Sequence, residues 1–129
     1  MVDSNEMMER WSGKDYKMGL PIKPEWGYLI VWEFHVRPGA EERFENVYGP
    51  QGDWAQFFKR GEGYAGTELN RDLNIAGRYV TLDFWTSPHA YEHFRELHLA
   101  EYKAIDERCE ALTERETEIG RFERVSRRT

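Results

Sequence analysis

Three side chains close together in the chain have the chemistry of acid–base catalysis: His98, Tyr102 and His93. His98 falls where the inward faces of two predicted helical segments meet. An imidazole with an ordinary pKa of ~6.5 can act there as a base or hydrogen-bond donor near neutral pH. His93 lies at the edge of its apolar stripe and is the weaker candidate. A histidine whose hydrogen bonds serve only structure is the alternative interpretation.

Large aromatic side chains are predicted to surround these candidates. The sequence has 7 Phe, 7 Tyr and 5 Trp in 129 residues, and such side chains either fill a core or line a ligand cavity. The residues predicted to face inward and to contact a substrate are Trp32, Phe34, Trp54, Phe58, Phe84 and Phe94. A filled aromatic core and a substrate cavity both remain open interpretations of this set.

A polar cluster of Glu33, His35 and Asp83 is predicted on two adjacent central strands, on the sheet face away from the helices. Such a cluster can titrate near neutral pH, or it can form hydrogen bonds across an interface between two copies of the chain, and we favour the interface role. A two-histidine, one-carboxylate iron site would need a further histidine, so no metal is expected.

Composition and charge exclude several classes of function. With 18 Lys+Arg against 24 Asp+Glu the net charge is −6, which argues against nucleic acid as a partner because phosphate binding needs a basic face. Cys109 is the single cysteine, so no intramolecular disulfide is expected, and a core position is predicted for it. No stretch of ~18 apolar residues and no signal peptide is apparent, so we expect a cytoplasmic protein without a membrane segment.

The elements that must position these residues follow from periodicity and turn signals. The predicted strands cover 28–36, 64–71, 78–85 and 117–125, and helical stripes cover 40–48, 54–58, 88–97 and 99–112. Ser87 before Pro88 is a typical helix start. Acidic residues crowd the last helix and strand, where we expect a solvated face: Asp106, Glu110, Glu114, Glu116 and Glu118.

This order, β-α-β-β-α-β, predicts a ferredoxin-like α+β protomer whose helices cover one face of a four-stranded antiparallel sheet ordered 4-1-3-2. The predicted organisation is an extension at 1–27 that packs on the body or on a partner, a domain at 28–125 and a basic tail at 126–129. Five apolar residues are predicted on the uncovered face: Leu29, Val31, Tyr64, Tyr79 and Trp85. A second copy of the sheet would cover them, giving a homodimer.

Several short segments resemble one known family: 33–39 (EFHVRPG), Phe44, 63–69 (GYAGTEL), 79–85 (YVTLDFW), and Ser87 with 90–91 (AY). The stretch from about 28 to 125 resembles the antibiotic biosynthesis monooxygenases, a family of dimeric α/β barrels. Members include cofactor-free monooxygenases of quinols and anthrones. The resemblance implies a homodimer that binds a small aromatic or hydrophobic ligand and needs no cofactor, with dioxygen as co-substrate.

The resemblance covers members with other functions. The heme-degrading members use a first-strand Asn, a Trp after the third strand and a later His, where this sequence has Trp32, Phe94 and Ala104. Heme degradation is therefore not expected. A non-catalytic dimeric barrel that binds a small hydrophobic ligand, or acts in a stress response, remains the alternative to an oxygenase.

Overall fold

The first strand, β1 (Tyr28–Val36), forms where β-branched and aromatic residues run without interruption, and Pro38-Gly39 follows its end. The computed structural model describes residues 22–125. The other elements are α1 (Glu41–Tyr48), α2 (Asp53–Phe58), β2 (Tyr64–Arg71), β3 (Arg78–Trp85), α3 (Pro88–Leu97), α4 (Leu99–Cys109), a 3-10 turn (Glu110–Leu112) and β4 (Thr113–Glu123).

The four strands form one antiparallel sheet in the order β2-β3-β1-β4. The predicted ferredoxin-like α+β protomer is therefore confirmed. β4 begins four residues earlier than the sequence pattern predicted, because Thr113 already pairs with Val36 at the far end of β1. None of the helices within 22–125 is long and apolar enough to cross a membrane.

Helix α3 begins as the sequence predicted. The Ser87 side chain accepts a hydrogen bond of 3.1 Å from the main-chain N–H of Ala90, and Pro88 occupies the first turn. The chain leaves helical geometry at His98 before α4 begins at Leu99. This break turns α4 relative to α3, so that both helices contribute side chains to the same side of the sheet.

The core lies between the helices and one face of the sheet and is mostly aromatic. Trp85 is fully buried, with its ring centroid 5.6 Å from that of Phe58 and 5.5 Å from that of Phe94. Phe44 is also fully buried and stacks on Tyr48 at 4.3 Å. Offset and edge-to-face aromatic packing of this kind contributes beyond the area that it buries.

The faces of β3 are the reverse of those predicted. Tyr79, Thr81, Asp83 and Trp85 face the helices, because Trp85 pairs with Tyr28, and directly opposed residues of an antiparallel pair share a face. Phe84 therefore lies on the other face. The predictions that Tyr64, Tyr79 and Trp85 lie on the uncovered face, and that Phe84 faces the helices, were wrong.

The face without helices, here called the open face, carries apolar residues at its centre. Leu29 and Val31 lie there as predicted, opposite Phe84 and Leu82. On the neighbouring strand β4, Phe122 pairs with Leu29 and is 48% exposed. The described residues thus leave part of an apolar sheet surface in contact with solvent.

The chain immediately before β1 packs on the body. The main-chain N–H of Lys23 donates to the Ala65 carbonyl at 2.9 Å, and the Trp26 ring packs edge-on against Phe84 at 4.9 Å. Arg124 lies over the Trp26 ring at 4.6 Å and donates a hydrogen bond of 2.7 Å to the Pro24 carbonyl. Residues 1–21 and 126–129, where the rest of the extension and the tail were predicted, lie outside the described residues.

Candidate active site

A cavity of about 320 Å³ lies between the sheet and the helices. Its volume is at the low end of the range typical of small-molecule sites, ~300–1,000 Å³. The lining residues are Trp32, Phe34, Tyr48, Trp54, Phe58, Thr67, Thr81, Asp83, Tyr91, Arg95, Tyr102, Asp106, Glu116, Glu118 and Arg121. Seven of these fifteen residues are aromatic, and the other eight carry acidic, basic or hydroxyl groups.

Asp83 brings a carboxyl group to the wall of this cavity from the middle of β3. The Thr67 hydroxyl, on the adjacent strand β2, donates a hydrogen bond of 2.7 Å to Asp83 Oδ1. Burial raises the pKa of Asp83 to about 6, against a smaller opposing effect of the Thr67 hydrogen bond. A carboxyl group that titrates near neutral pH in an aromatic cavity is suited to general-base chemistry.

Five of the six aromatic residues predicted to contact a substrate lie on the helix side of the sheet. Four of them line the cavity: Trp32, Phe34, Trp54 and Phe58. Phe94 is buried behind this wall, where its ring lies 4.9 Å from Phe57 and 5.5 Å from Trp85. Phe84 is on the open face. Phe94 and Phe84 do not line the cavity because of contacts between elements, and the periodicity of one helix or one strand does not predict such contacts.

The predicted catalytic residues separate in the structure. Tyr102, on α4, lines the cavity. His98 does not, because it ends α3 with its ring 4.7 Å from that of Phe94, and its Nδ1 lies 3.5 Å from Glu101 at the surface. His93 is exposed and stacks on His89 at 5.9 Å. Neither histidine is among the cavity-lining residues.

Two arginines line the cavity, and their surroundings differ. Arg121 is paired, because it donates to Glu118 at 3.0 Å and to Glu92 at 2.9 Å. Arg95 forms no ion pair with any residue in 22–125, and its buried Nε–H has no hydrogen-bond acceptor there. The Arg95 guanidinium lies over the Tyr102 ring at 5.0 Å. It is thus a cation at the cavity without an anionic partner in the described chain.

Three of the acidic residues expected on a solvated face also line the cavity: Asp106, Glu116 and Glu118. Partial burial raises the pKa of Glu116, and the neighbouring carboxylates of Asp106 and Glu110 raise it further. β4 brings Glu116 and Glu118 here because they pair with Phe34 and Trp32, which face the helices. Glu116 and Glu118 are exposed to solvent, as expected, and Asp106 is half-buried.

The predicted polar cluster of Glu33, His35 and Asp83 forms only in part, because His35 Nε2 lies 3.4 Å from Glu33 Oε1 but Asp83 lies apart from both. Glu33 and His35 share the open face. There Glu33 Oε2 accepts a hydrogen bond of 2.7 Å from Arg78, and this bond lowers the pKa of Glu33. His35 Nε2 lies 2.8 Å from Arg115 Nη2. Asp83 is on the opposite side of the sheet, because it pairs with Ile30, and Ile30 faces the helices.

Sequence reasoning missed Asp83 as a cavity residue, although a signal was present. Tyr79 and Trp85 share its alternation and are the largest side chains of the strand, so burial of that face removes the most apolar area from water. The other alternating set of β3 contains Val80, Leu82 and Phe84, whose side chains are also apolar, so residue type alone does not choose between the two faces. Weighting side-chain size as well as type would have favoured the observed face.

No group of three or more His, Cys, Asp or Glu side chains is arranged to hold a metal ion among residues 22–125. Cys109 is buried, as predicted, and burial raises the pKa of its thiol.

Known structures share this fold. The cofactor-independent oxygenase SnoaB from Streptomyces nogalater matches with a TM-score of 0.62 and 25% identity, over 81% of this chain and 96% of that one. The resemblance to the antibiotic biosynthesis monooxygenases is confirmed. A candidate antibiotic biosynthesis monooxygenase from Bordetella bronchiseptica matches at 0.61 with 20% identity, over 78% of this chain and 99% of that one.

A dimeric ferredoxin-like protein from an uncultured marine organism matches with a TM-score of 0.56 and 12% identity, over 81% of this chain and 92% of that one. At this identity the likeness concerns the fold. No family model and no curated protein matches the sequence.

Proposed function

We propose that this protein is a cofactor-independent oxygenase of small, electron-rich aromatic compounds such as quinols or anthrones. The observation that carries the proposal is Asp83, a carboxyl group of raised pKa set among aromatic walls in a cavity of ligand size. SnoaB, which has the same fold, is a cofactor-independent oxygenase, and this supports the choice of reaction.

The chemistry assigns a role to each polar group at the cavity. Asp83 removes a proton from the bound phenol or anthrone, and the resulting anion is electron-rich enough to reduce dioxygen directly. For an anthrone, one oxygen atom replaces two hydrogens as a carbonyl and the other leaves as water, so the substrate supplies all the electrons. Arg95, which forms no ion pair within residues 22–125, offers a positive charge to the substrate anion, and the aromatic walls hold the planar rings.

The proposed assembly is a homodimer in which the open faces of two copies pack together. The half-buried Leu29, Val31 and Leu82 at the centre of this face, together with the exposed Phe122, form an apolar surface that a second sheet would cover. A structural neighbour is a dimeric ferredoxin-like protein, which supports this arrangement.

The test is dioxygen uptake by the purified, chelator-treated protein with a panel of quinols and anthrones, without added metal or flavin. We expect the wild type to accelerate uptake, and Asp83→Asn to lower kcat/KM by about 10²–10⁴-fold, the usual contribution of a positioned base. Asp53→Asn, the same exchange at an exposed position in α2, is the matched control and should keep the wild-type rate.

The panel also compares Asp83 with the histidine favoured by the sequence. His98→Ala should stay within a few-fold of wild type, because His98 does not line the cavity. Loss of activity in His98→Ala with full activity in Asp83→Asn would assign the base to His98 instead. Binding of quinols without any acceleration of uptake would favour the non-catalytic, ligand-binding alternative.

A further inference from the structure

Behind Asp83, two buried hydroxyl groups continue the hydrogen bonding away from the cavity. Tyr64 Oη and Thr67 Oγ1 lie 2.5 Å apart, and Thr67 Oγ1 donates to Asp83 Oδ1 at 2.7 Å. Because Thr67 has one proton and gives it to the carboxylate, the Tyr64 hydroxyl must be the donor to Thr67. The three groups form a one-way chain from Tyr64 through Thr67 to Asp83.

A second cavity, of about 220 Å³, lies on the far side of this chain. Tyr64 and Thr67 both line it, together with Lys23 and Lys59, and Thr67 lines the first cavity as well. Thr67 thus stands between the two cavities, and Tyr64 lies on the side of the second. Thr67 occupies Oδ1 of Asp83 and leaves Oδ2 without a hydrogen-bond donor among residues 22–125.

From this geometry we propose that Tyr64 and Thr67 are positioning residues that fix the orientation of the Asp83 carboxylate and set its affinity for a proton. The inference deepens the proposed function and rests on it for the role of Asp83. Donation from Thr67 stabilises the charged carboxylate, whereas burial favours the neutral form, so the pair holds Asp83 ionised enough to accept a proton. Donation from Tyr64 polarises the Thr67 hydroxyl and strengthens this effect.

Other titratable groups line the same cavity as Asp83. They are Tyr48 from α1, Tyr91 and Arg95 from α3, Tyr102 and Asp106 from α4, and Glu116, Glu118 and Arg121 from β4. Within 22–125, Thr67 is the hydrogen-bond partner of the Asp83 carboxylate. Its removal should therefore change the proton affinity of Asp83 while leaving these surroundings in place.

The test is a carbon NMR titration of the Asp83 carboxyl group in the full chain without substrate, with Asp83→Asn used to assign the signal. In Thr67→Val, which keeps the shape and removes the hydroxyl, we expect the midpoint to rise by about one to two pH units, the size of a hydrogen bond to a charged group. Tyr64→Phe should produce a smaller rise. Thr81→Val, the same exchange at another buried threonine of the cavity, should leave the midpoint unchanged.

Thr67→Ser restores a hydroxyl and should return the midpoint to the wild-type value, which a purely structural role would not require. An unchanged midpoint in both Thr67→Val and Tyr64→Phe overturns the inference. If Thr67→Val does not fold, Tyr64→Phe tests the inference alone: a raised midpoint of the Asp83 titration supports it, and an unchanged midpoint overturns it. Because the titration needs no turnover, it is independent of the oxygenase assay. A shifted midpoint without dioxygen uptake supports the positioning role of Tyr64 and Thr67 and contradicts the proposed function. Dioxygen uptake with an unchanged midpoint supports the proposed function and overturns the positioning role.

Discussion

At the scale of single residues, the stability of the fold favours neutral Asp83, whereas the proposed reaction needs ionised Asp83. Its folded-state pKa of about 6 is above the ordinary value of 3.8. The folded state therefore binds more protons than the unfolded chain between these values, and the free energy of unfolding falls as the pH rises through about 6. The ionised form that is needed to remove a proton from substrate is the form that the fold disfavours.

The pH dependence of activity follows from the same shift. We expect kcat/KM to increase as the pH rises through about 6, because only ionised Asp83 accepts a proton. Initial rates of dioxygen uptake between pH 4.5 and 8 measure this limb. A rate that is flat across pH 6, with a substrate that does not itself titrate there, would be incompatible with Asp83 as the base.

Asp83→Asn should stabilise the protein above pH 6 even as it removes activity. The neutral amide avoids burying a charge, so we expect a gain of up to about 3 kcal/mol near pH 8 that disappears near pH 4. Urea denaturation at both pH values measures it. Asp53→Asn serves as the exposed control, and a loss of stability at pH 8 in Asp83→Asn would contradict the assigned burial.

At the scale of elements, the residue pattern predicted where three of the four strands begin and end, but not where β4 begins or which way β3 faces. β1, β2 and β3 span the predicted ranges because β-branched and aromatic runs are bounded by turn residues. Both alternations of β3 are apolar enough to be buried, and only the pairing of Trp85 with Tyr28 decides between them. Asp83 was assigned to the wrong face of the sheet for this reason. His98 was favoured because helical periodicity indicates which side chains face inward, but not whether they reach the cavity.

Helix α3 depends on its first turn for its position over the cavity. Ser87→Ala removes the side-chain acceptor for the Ala90 N–H and should cost about 1 kcal/mol of unfolding free energy, measured by urea denaturation. Ser87→Asn, which keeps a capping oxygen, should stay close to wild type. Equal losses in both variants would show that the cap does not stabilise this helix.

At the scale of the whole molecule, the open face is the surface that residues 22–125 leave uncovered. The sequence anticipated such a face and a homodimer that would cover it, although three of the five residues assigned to it belong to the core. Trp26 and Arg124 cover one part of this face, beside Phe84, and the described residues leave the centre around Leu82 and Val31 partly accessible. A second sheet is expected to pack on that centre.

The oligomeric state can be tested with one charge. Leu82→Glu places a carboxylate in the centre of the open face and should convert a dimer to a monomer, measured by light scattering after size-exclusion chromatography. Leu73→Glu makes the same exchange at a residue that is 95% exposed in the turn between β2 and β3, and it should remain dimeric. A wild-type monomer, or a dimer that survives Leu82→Glu, would contradict assembly through this face.

In the proposed function, Asp83 starts a direct reaction between an aromatic substrate and dioxygen. Turnover of an anthrone by chelator-treated protein under isotopically labelled dioxygen, with the label in the product read by mass spectrometry, tests this role. We expect one labelled oxygen atom per product molecule and one dioxygen consumed, with both accelerated by the wild type and slowed about 10²–10⁴-fold in Asp83→Asn. Equal acceleration by Asp83→Asn, or an unlabelled product, would contradict it.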